Sequence, residues 1–180
     1  DQTWEEIQFE IAEDSSYVAF DAEKLGNFVF AEPAALTDPE ISPLADTDAY
    51  AILYESGELV FQRGSTPDAS KGNVLTTYTG FETTTYTGYA PWYENRTSIK
   101  AVSFKDVVKP VSTAYWFYNC RNLTDVDFKN LDTSAVTNMD SMFFQCSSLT
   151  SLDLSSFHTS AVTSMDEMFY GCTSLTSLDV

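Results

Sequence analysis

The chain has 180 residues, 43% of them hydrophobic, and a formal net charge of −18 at pH 7. This composition excludes general disorder, and the length allows one or two domains with a hydrophobic core. With 27 Asp and Glu against nine Lys and Arg, and no apolar run near the roughly 18 residues of a membrane span, a nucleic-acid partner and a transmembrane segment are both disfavoured.

The first 48 residues are strongly acidic, with 13 Asp and Glu and a single Lys. Alternating apolar residues within residues 1–31 predict three short strands, at Ile7 to Ile11, Tyr17 to Phe20 and Phe28 to Phe30. Three short strands cannot hold a core alone, so we expect them to end an upstream module or to pack on the next segment. Residues 32–48, with three prolines among acidic and small residues, are typical of a linker.

Residues 49–95 predict a β-hairpin followed by more antiparallel structure. The segments YAILY and LVFQR flank a short turn at residues 55–58 that contains Gly57. The segments TYTGF (77–81) and TYTGY (85–89) repeat each other, and Thr and Tyr favour strands. We expect this small antiparallel sheet to form the N-terminal cap of the repeats that follow.

From residue 96 the sequence predicts a repeat fold. Residues 129–154 and 155–180 are identical at 16 of 26 positions. The cysteines share this period of 26 residues, at Cys120, Cys146 and Cys172. A period of this length is typical of solenoids, in which each unit is too small to bury its own apolar face.

Each repeat predicts one strand and one short helix. Leu149, Leu152 and Leu154 have the spacing of a short strand in a parallel sheet. Ser164 and Glu167 have the spacing of a capping box. Apolar residues at i, i+3, i+4 and i+7 then predict a two-turn helix, at Met165, Met168, Phe169 and Cys172. The predicted fold class is therefore an α/β repeat, a leucine-rich-repeat-like solenoid with a parallel sheet of short strands and short helices.

The phase of the repeat makes two further predictions. The three cysteines share the phase of inward apolar residues, so we expect them to be reduced and buried. Val180 occupies an inward position of a strand, where an uncapped end would leave backbone groups unpaired. We therefore expect the natural protein to continue with further repeats, and the given chain either to fray after about Cys172 or to cover its open end with another molecule, which includes end-to-end self-association.

The repeats resemble a known family. The units TSAVTNMDSMFFQCSSLTSLDL and TSAVTSMDEMFYGCTSLTSLDV, led by APWYENRTSIKAVSF, are similar to the BspA-like leucine-rich repeat surface proteins of bacteria, whose repeat is also found in mycoplasma lipoproteins. The resemblance covers residues 91–180. It implies an extracellular protein at the bacterial cell surface, with adhesion or host contact as its role. Residues 1–31 resemble the closing strands of β-sandwich modules that precede such repeats in large surface proteins.

Neither the residues nor the resemblance supplies catalytic, cofactor-binding or metal-binding residues. His158 is the single histidine, and it has no Cys or carboxylate at a diagnostic spacing. The acidic residues are spread by the repeat instead of forming one distinct pair of the kind that glycosidases use. We therefore expect no enzyme activity.

Three aspartates are predicted to form a ladder. Asp127, Asp153 and Asp179 occupy the outward position of successive strands, where neighbours would lie about 4.8 Å apart. Carboxylates at this distance repel one another. Two interpretations remain open: the side chains extend into water or accept hydrogen bonds from adjacent Ser and Thr, or the ladder binds a cation or a basic stretch of a partner.

Aromatic residues gather just before the first repeat, at Tyr86, Tyr89, Trp92 and Tyr93. Core and cap packing is one interpretation, and a platform for stacking sugar rings is the other. The function predicted for the whole chain is a non-enzymatic surface module that binds a protein or glycan on another cell or in the matrix. The alternative is a carbohydrate-binding or spacer module of a larger extracellular protein.

Overall fold

The computed structural model describes residues 48–85 and 88–180, and these residues contain seven β-strands and no α-helix. The strands are β1 (Ala49–Tyr54), β2 (Glu58–Arg63), β3 (Val74–Tyr78), β4 (Ala101–Phe104), β5 (Asp125–Asp127), β6 (Ser151–Asp153) and β7 (Ser177–Asp179). Single-turn 3-10 helices lie at Ala69–Lys71 and Tyr93–Asn95. The strands predicted within residues 1–31, and all but the last residue of the predicted linker, lie outside the described residues.

Five strands form a mixed sheet in the order β3-β1-β2-β4-β5, and β6 and β7 form a second, two-stranded sheet. β1 pairs antiparallel with β2 and with β3, and β1 with β2 is the hairpin that the sequence predicts. β2, β4 and β5 run parallel, so that Leu59, Val102 and Val126 lie side by side. The hairpin thus provides the first parallel neighbour for the strands of the repeats.

Both faces of β1 are buried. Ala49, Ala51 and Leu53 point into the main hydrophobic core, whereas the alternate residues belong to a second buried cluster formed by Tyr50, Ile52, Tyr54 and Val60. This alternation follows from the period of two in a β-strand. The continuous apolar run AYAILY is therefore typical of a strand that is covered on both sides.

The widest part of the main core is aromatic. Phe61 stacks on Phe104 with ring centroids 4.4 Å apart and on Trp116 at 5.3 Å, and it meets Trp92 edge-on at 5.2 Å. Such ring pairs contribute about 0.5–1.5 kcal/mol each beyond the burial of their area. The core continues through the repeats between the strands and a layer of turns, with Phe117 and Phe143 among its fully buried residues.

The layer opposite the strands is defined here as the turn layer, and it consists of residues 113–120, 139–146 and 165–172. Every second N–H group of the first stretch donates to a carbonyl oxygen within residues 138–144 at 2.8–3.0 Å, from Thr113, Tyr115, Phe117 and Asn119. In the same way the second stretch donates to residues 164–170 at 2.6–2.9 Å, from Met139, Ser141, Phe143 and Gln145. The intervening N–H groups, such as that of Trp116, donate within the stretch to the residue three positions earlier.

Two positions in each stretch of the turn layer have left-handed backbone. One has φ values of 59°, 52° and 55°, at Tyr115, Ser141 and Glu167. The other has φ values of 59°, 56° and 76°, at Asn119, Gln145 and Gly171. A non-glycine residue pays about 1–2 kcal/mol for this conformation. The hydrogen bonds between neighbouring repeats offset that cost.

These observations correct the predicted fold class. The described residues are mostly β and turn, with a mixed five-stranded sheet, no α-helix and no closed solenoid, so the prediction of an α/β repeat solenoid is wrong. Successive turns bury apolar side chains at nearly the spacing of a helix, as Met139 and Met142 show. This explains why the same pattern at Met165 and Met168 suggested a helix, although Met165 itself is exposed. An α-helix needs each N–H to bond four residues back, but here every second N–H bonds the next repeat.

The predicted capping box is also absent. Glu167 adopts a φ of 55° instead of a helical value. The Ser164 hydroxyl donates to the carboxylate of Asp140 in the preceding repeat. The Ser164 side chain therefore belongs to a contact between repeats, and Glu167 does not lie in the first turn of a helix.

The strand layer is interrupted between β5 and β6, although the turn layer is continuous. β4 pairs with β5 and β6 pairs with β7, but β5 and β6 belong to different sheets. A shallow depression of about 280 Å³ lies at the interruption, lined by Val126, Asp127, Phe128, Lys129, Asp153, Ser155 and Ser156. The two sheets are thus joined through the core and the turn layer.

Candidate functional site

The outer surface of the turn layer carries a row of aromatic side chains, defined here as the aromatic ladder: Tyr118, Phe144 and Tyr170. Tyr118 stacks on Phe144 with ring centroids 4.7 Å apart and planes 10° apart, and Phe144 stacks on Tyr170 at 5.0 Å and 17°. Tyr118 and Phe144 are half-buried, and Tyr170 is 60% exposed. The ladder therefore presents ring edges and hydroxyl groups to solvent, while its ring faces cover one another.

A second row lies directly beneath the aromatic ladder. Phe117 stacks on Phe143 at 5.6 Å, and Phe143 stacks on Phe169 at 5.8 Å. Each repeat thus has two consecutive aromatic residues, of which the first points into the core and the second points outward. This pairing fixes the ladder rigidly to the core.

Three tyrosines extend the ladder at the first repeat, and together with Tyr118 they are defined here as the tyrosine cluster: Tyr89, Tyr93, Tyr115 and Tyr118. Tyr89 stacks on Tyr93 at 3.8 Å and lies 5.1 Å from Tyr118. Desolvation, followed by the neighbouring phenol groups, raises the pKa of Tyr118. The Tyr118 hydroxyl therefore remains a protonated hydrogen-bond donor at neutral pH.

The structure divides the predicted sugar-stacking cluster. Trp92 is fully buried and its indole N–H donates to the carbonyl oxygen of Trp116, so Trp92 is not available to a ligand. Tyr86 lies outside the described residues. Tyr89 is 48% exposed, but Tyr93 is covered by Tyr89 at 3.8 Å and by the Arg96 guanidinium 4.1 Å above its ring. Packing within the protein therefore explains the positions of Trp92 and Tyr93, and it covers most of the Tyr93 ring.

The predicted aspartate ladder is only partly continuous. Asp153 and Asp179 are register partners in β6 and β7, but the partner of Asp127 is Ser103 in β4. All three aspartates are exposed on the outer face of the strand layer. Asp127 has no register partner in β6, although it lines the same depression as Asp153.

The aspartates are stabilised by their own loops. Asp153 Oδ1 accepts hydrogen bonds from the Ser155 hydroxyl at 2.6 Å and from the Ser155 N–H at 2.9 Å, and these bonds lower the pKa of Asp153. Asp127 Oδ1 accepts from the N–H of Lys129 at 3.0 Å. Hydrogen bonds of this kind offset repulsion between neighbouring carboxylates without any ligand. The described residues include no group of three or more His, Cys, Asp or Glu that could hold a metal ion.

A family model described as "Mycoplasma protein of unknown function, DUF285" matches residues 90–179, half of the 180-residue chain. The chain belongs to the DUF285 family. No curated protein and no solved structure matches the chain. The family description states no function, so the resemblance to BspA-like surface proteins stays a prediction.

The part of the chain that DUF285 covers contains the whole turn layer and the whole aromatic ladder. Sequence reasoning missed this ladder. The signal was present, because Phe117–Tyr118, Phe143–Phe144 and Phe169–Tyr170 recur every 26 residues. In a helix the second residue of each pair would lie beside the first instead of on the opposite side of the layer.

In the described part of this DUF285 chain, no helix has the length and apolar character that crossing a membrane requires.

The cysteines of the DUF285 segment are free thiols that pack within the repeats. Cys120 and Cys146 are buried and Cys172 is half-buried. The Cys146 thiol donates to the carbonyl oxygen of Phe117 at 3.1 Å, and Cys172 repeats this contact with Phe143 at 3.0 Å. Burial raises the pKa of the Cys120 thiol to about 12, so a reactive thiolate is disfavoured.

His158 occupies the repeat position that Asp132 holds in the preceding unit. It is exposed, and its backbone N–H and carbonyl oxygen both bond the Thr133 hydroxyl, at 2.7 and 3.2 Å. The described contacts of His158 are therefore those of a loop residue that joins two repeats.

Proposed function

We propose that this DUF285 chain is a non-enzymatic interaction module of a bacterial cell-surface protein, and that it binds another macromolecule along the turn layer. The observation that carries the proposal is the aromatic ladder, in which three outward rings recur every 26 residues and leave their edges in solvent. Function on a broad surface built by repeats is common in repeat proteins.

The chemistry of the ladder suits a protein partner. Tyr and other aromatic residues are enriched at protein interfaces, because a large ring and a hydroxyl group combine apolar area with a hydrogen-bond donor. Stacking between Tyr118, Phe144 and Tyr170 already orders these side chains, so binding costs little further conformational entropy. The backbone below them is held by hydrogen bonds between repeats.

The first experiment identifies a partner with a panel of matrix proteins and a glycan array. The ladder is then tested with the double variant Phe144→Gln and Tyr170→Gln. Because interface aromatic residues often dominate binding, we expect the dissociation constant to rise by at least about tenfold. Unchanged affinity in the ladder variant would contradict the proposed binding surface, and binding of glycans alone would favour the carbohydrate-binding alternative.

The matched control removes exposed apolar side chains elsewhere, with Leu75→Gln and Val107→Gln. These residues are 47% and 57% exposed and lie outside the turn layer. A third variant, with Asp127, Asp153 and Asp179 changed to Asn, reports on the outer face of the strand layer. Together the variants show which of the two outer faces the partner contacts.

The location at the cell surface is a separate part of the proposal. Antibodies against residues 90–179 should label intact cells of the source bacterium, and external protease should remove the signal. Labelling that requires permeabilised cells would contradict this location.

A further inference from the structure

Two arginines lie beside the tyrosine cluster in neighbouring coils of the chain. Asn122 Nδ2 donates to the carbonyl oxygen of Thr97 at 2.7 Å, so the segment after Arg121 runs alongside the segment after Arg96. Arg96 and Arg121 therefore occupy equivalent positions in neighbouring coils.

Neither arginine is engaged by a carboxylate among the described residues. The ion pairs of this part of the chain are Arg63 with Glu82, Lys71 with Glu58, and Lys109 with Asp132. Arg96 instead donates to the backbone oxygen of Tyr93 at 3.0 Å, and Arg121 donates to Gln145 Oε1 at 2.6 Å. A guanidinium carries five N–H donors, so each side chain keeps donors for a ligand.

The same chain shows what an arginine does when a carboxylate is available. Arg63 holds Glu82 through both of its Nη atoms, at 2.6 and 2.7 Å. This two-pronged geometry is the preferred contact between guanidinium and carboxylate groups. Arg96 and Arg121 retain the chemistry for such a contact, but their described partners are neutral oxygens.

The electrostatic setting of the two arginines differs from the rest of the chain. Residues 49–121 contain seven Lys and Arg against six Asp and Glu, whereas residues 122–180 contain one against eight. At physiological salt, charges beyond about 8 Å are largely screened, so the local balance decides which groups bind here. Glu94 lies in the 3-10 helix directly before Arg96, and neither Glu94 nor Glu167 forms an ion pair with either arginine.

We propose that Arg96 and Arg121, together with the Tyr118 hydroxyl, form a subsite for carboxylate side chains of a protein partner. That the partner is a protein rests on the proposed function. That the partner presents carboxylates is inferred from the two arginines. A sugar ring is the poorer fit, because both faces of Tyr93 are covered and the rings of the aromatic ladder cover one another. An acidic peptide needs only the ring edges, the hydroxyls and the guanidinium N–H groups.

The test uses a short poly-L-glutamate peptide as the probe and hyaluronan as a carboxylate-bearing glycan for comparison. Binding is measured by isothermal titration calorimetry on the whole chain. We expect the peptide to bind, and the double variant Arg96→Gln and Arg121→Gln to weaken it by about five- to tenfold, the effect of losing exposed ion pairs. The glutamine amides preserve donors to Tyr93 and Gln145, and matching amide NMR spectra verify the fold.

The matched control is the double variant Lys105→Gln and Lys129→Gln. It removes the same charge at the opposite ends of β4 and β5, where Lys105 and Lys129 follow the strands and Arg96 and Arg121 precede them. We expect this control to bind the peptide like the unchanged chain. Equal weakening in both double variants would overturn the subsite, because only net charge would then matter.

The remaining outcomes also decide the proposal. Failure of the unchanged chain to bind the peptide overturns the subsite, and arginine-dependent binding of hyaluronan alone overturns the assignment to a protein. A macromolecular partner that binds independently of both arginines overturns the subsite but leaves the proposed function intact. If the peptide binds through the arginines but the panel finds no partner, the subsite stands and only the proposed function is contradicted.

Discussion

Gly57 and Ser98 approach so closely that a Cβ atom on Gly57 would lie 2.6 Å from the carbonyl oxygen of Ser98. The carbonyl oxygen of Gly57 also accepts a hydrogen bond from the N–H of Lys100 at 2.8 Å. The turn of the β1–β2 hairpin is therefore packed against the backbone that enters β4. This contact fixes the hairpin to the first repeat.

The first prediction concerns Gly57→Ala. The left-handed φ of 92° costs alanine about 1–2 kcal/mol, and the forced shift of a backbone oxygen adds about 1–3 kcal/mol. We expect the free energy of unfolding in urea to fall by about 2–5 kcal/mol. Gly80→Ala is the matched control, because Gly80 has a φ of 74° with no atom within 4 Å of its Cβ position. Equal losses in the two variants would show that the contact with Ser98 is unimportant.

The second prediction separates a core role of Trp92 from a ligand-binding role. Trp92→Phe removes the indole donor to Trp116 and part of a ring that contacts Phe61. We expect the free energy of unfolding to fall by about 2–3 kcal/mol. Tyr89→Phe, at an exposed position, should change it by less than about 0.5 kcal/mol. Unchanged stability together with lost glycan binding in the Trp92 variant would contradict the core role.

The third prediction is the pH dependence that follows from the buried thiols. Burial raises the pKa of Cys120 from 9.0 to about 12, so the folded chain holds a proton that the unfolded chain releases. This stabilisation is complete below pH 9 and is lost as the pH rises towards 12. Urea unfolding between these pH values should show a shallower decline for Cys120→Ala than for the unchanged chain. An identical decline would mean that other groups cause the loss.

The same thiols should resist modification in the folded state. We expect slow reaction with a thiol reagent until urea unfolds the chain, with Cys172 first because it is only half-buried. Mass spectrometry of the partly modified protein identifies the order. Fast labelling of Cys146 under native conditions would contradict the observed packing.

The fourth prediction tests the interruption of the aspartate ladder. Asp179→Asn removes a like charge beside Asp153, so the pKa of Asp153 should fall further below its ordinary value. Asp127→Asn is the comparison and should lower that pKa less, since Asp127 lines the same depression as Asp153 but is not its register partner. The titration is followed by NMR at low salt. Equal effects of the two variants would indicate a continuous ladder.

Ser155 provides a check on the cause of the shift. Ser155→Ala should raise the pKa of Asp153, because the serine hydroxyl is the main cause of its depression. A lowered pKa stabilises the folded chain above the ordinary value of 3.8, and this contribution is lost as the pH falls through the folded-state pKa. The variant should therefore lose less stability on acidification than the unchanged chain.

The sequence was informative about strands and poor at distinguishing turns from a helix. The leucine spacing around Leu152 marks β6 correctly, because alternation in a strand depends only on the residue pattern. Met139, Met142 and Phe143 fit a helix as well as they fit a chain of turns, since both bury residues three and four apart. The difference lies in where alternate N–H groups point, and that depends on a neighbouring repeat.

The candidate surface was predictable only in part. The tyrosines before the first repeat attracted attention by their number, but the fully buried state of Trp92 depends on Phe61 and Trp116, which are distant in sequence. To predict the aromatic ladder, one must know that consecutive residues in the turn layer face opposite sides. To predict the arginine pair, one must know the register between residues 97 and 122.

The turn layer joins each repeat to the next through main-chain hydrogen bonds. The backbone therefore determines the architecture, whereas the outward side chains determine what the surface recognises. The aromatic side chains of the ladder take no part in these main-chain hydrogen bonds, so Phe144 and Tyr170 differ at equivalent positions while their N–H groups make equivalent bonds, to Ser141 and Glu167. Selection can therefore alter the outward residues one repeat at a time. A lineage can change what this surface binds while inheriting an unaltered scaffold.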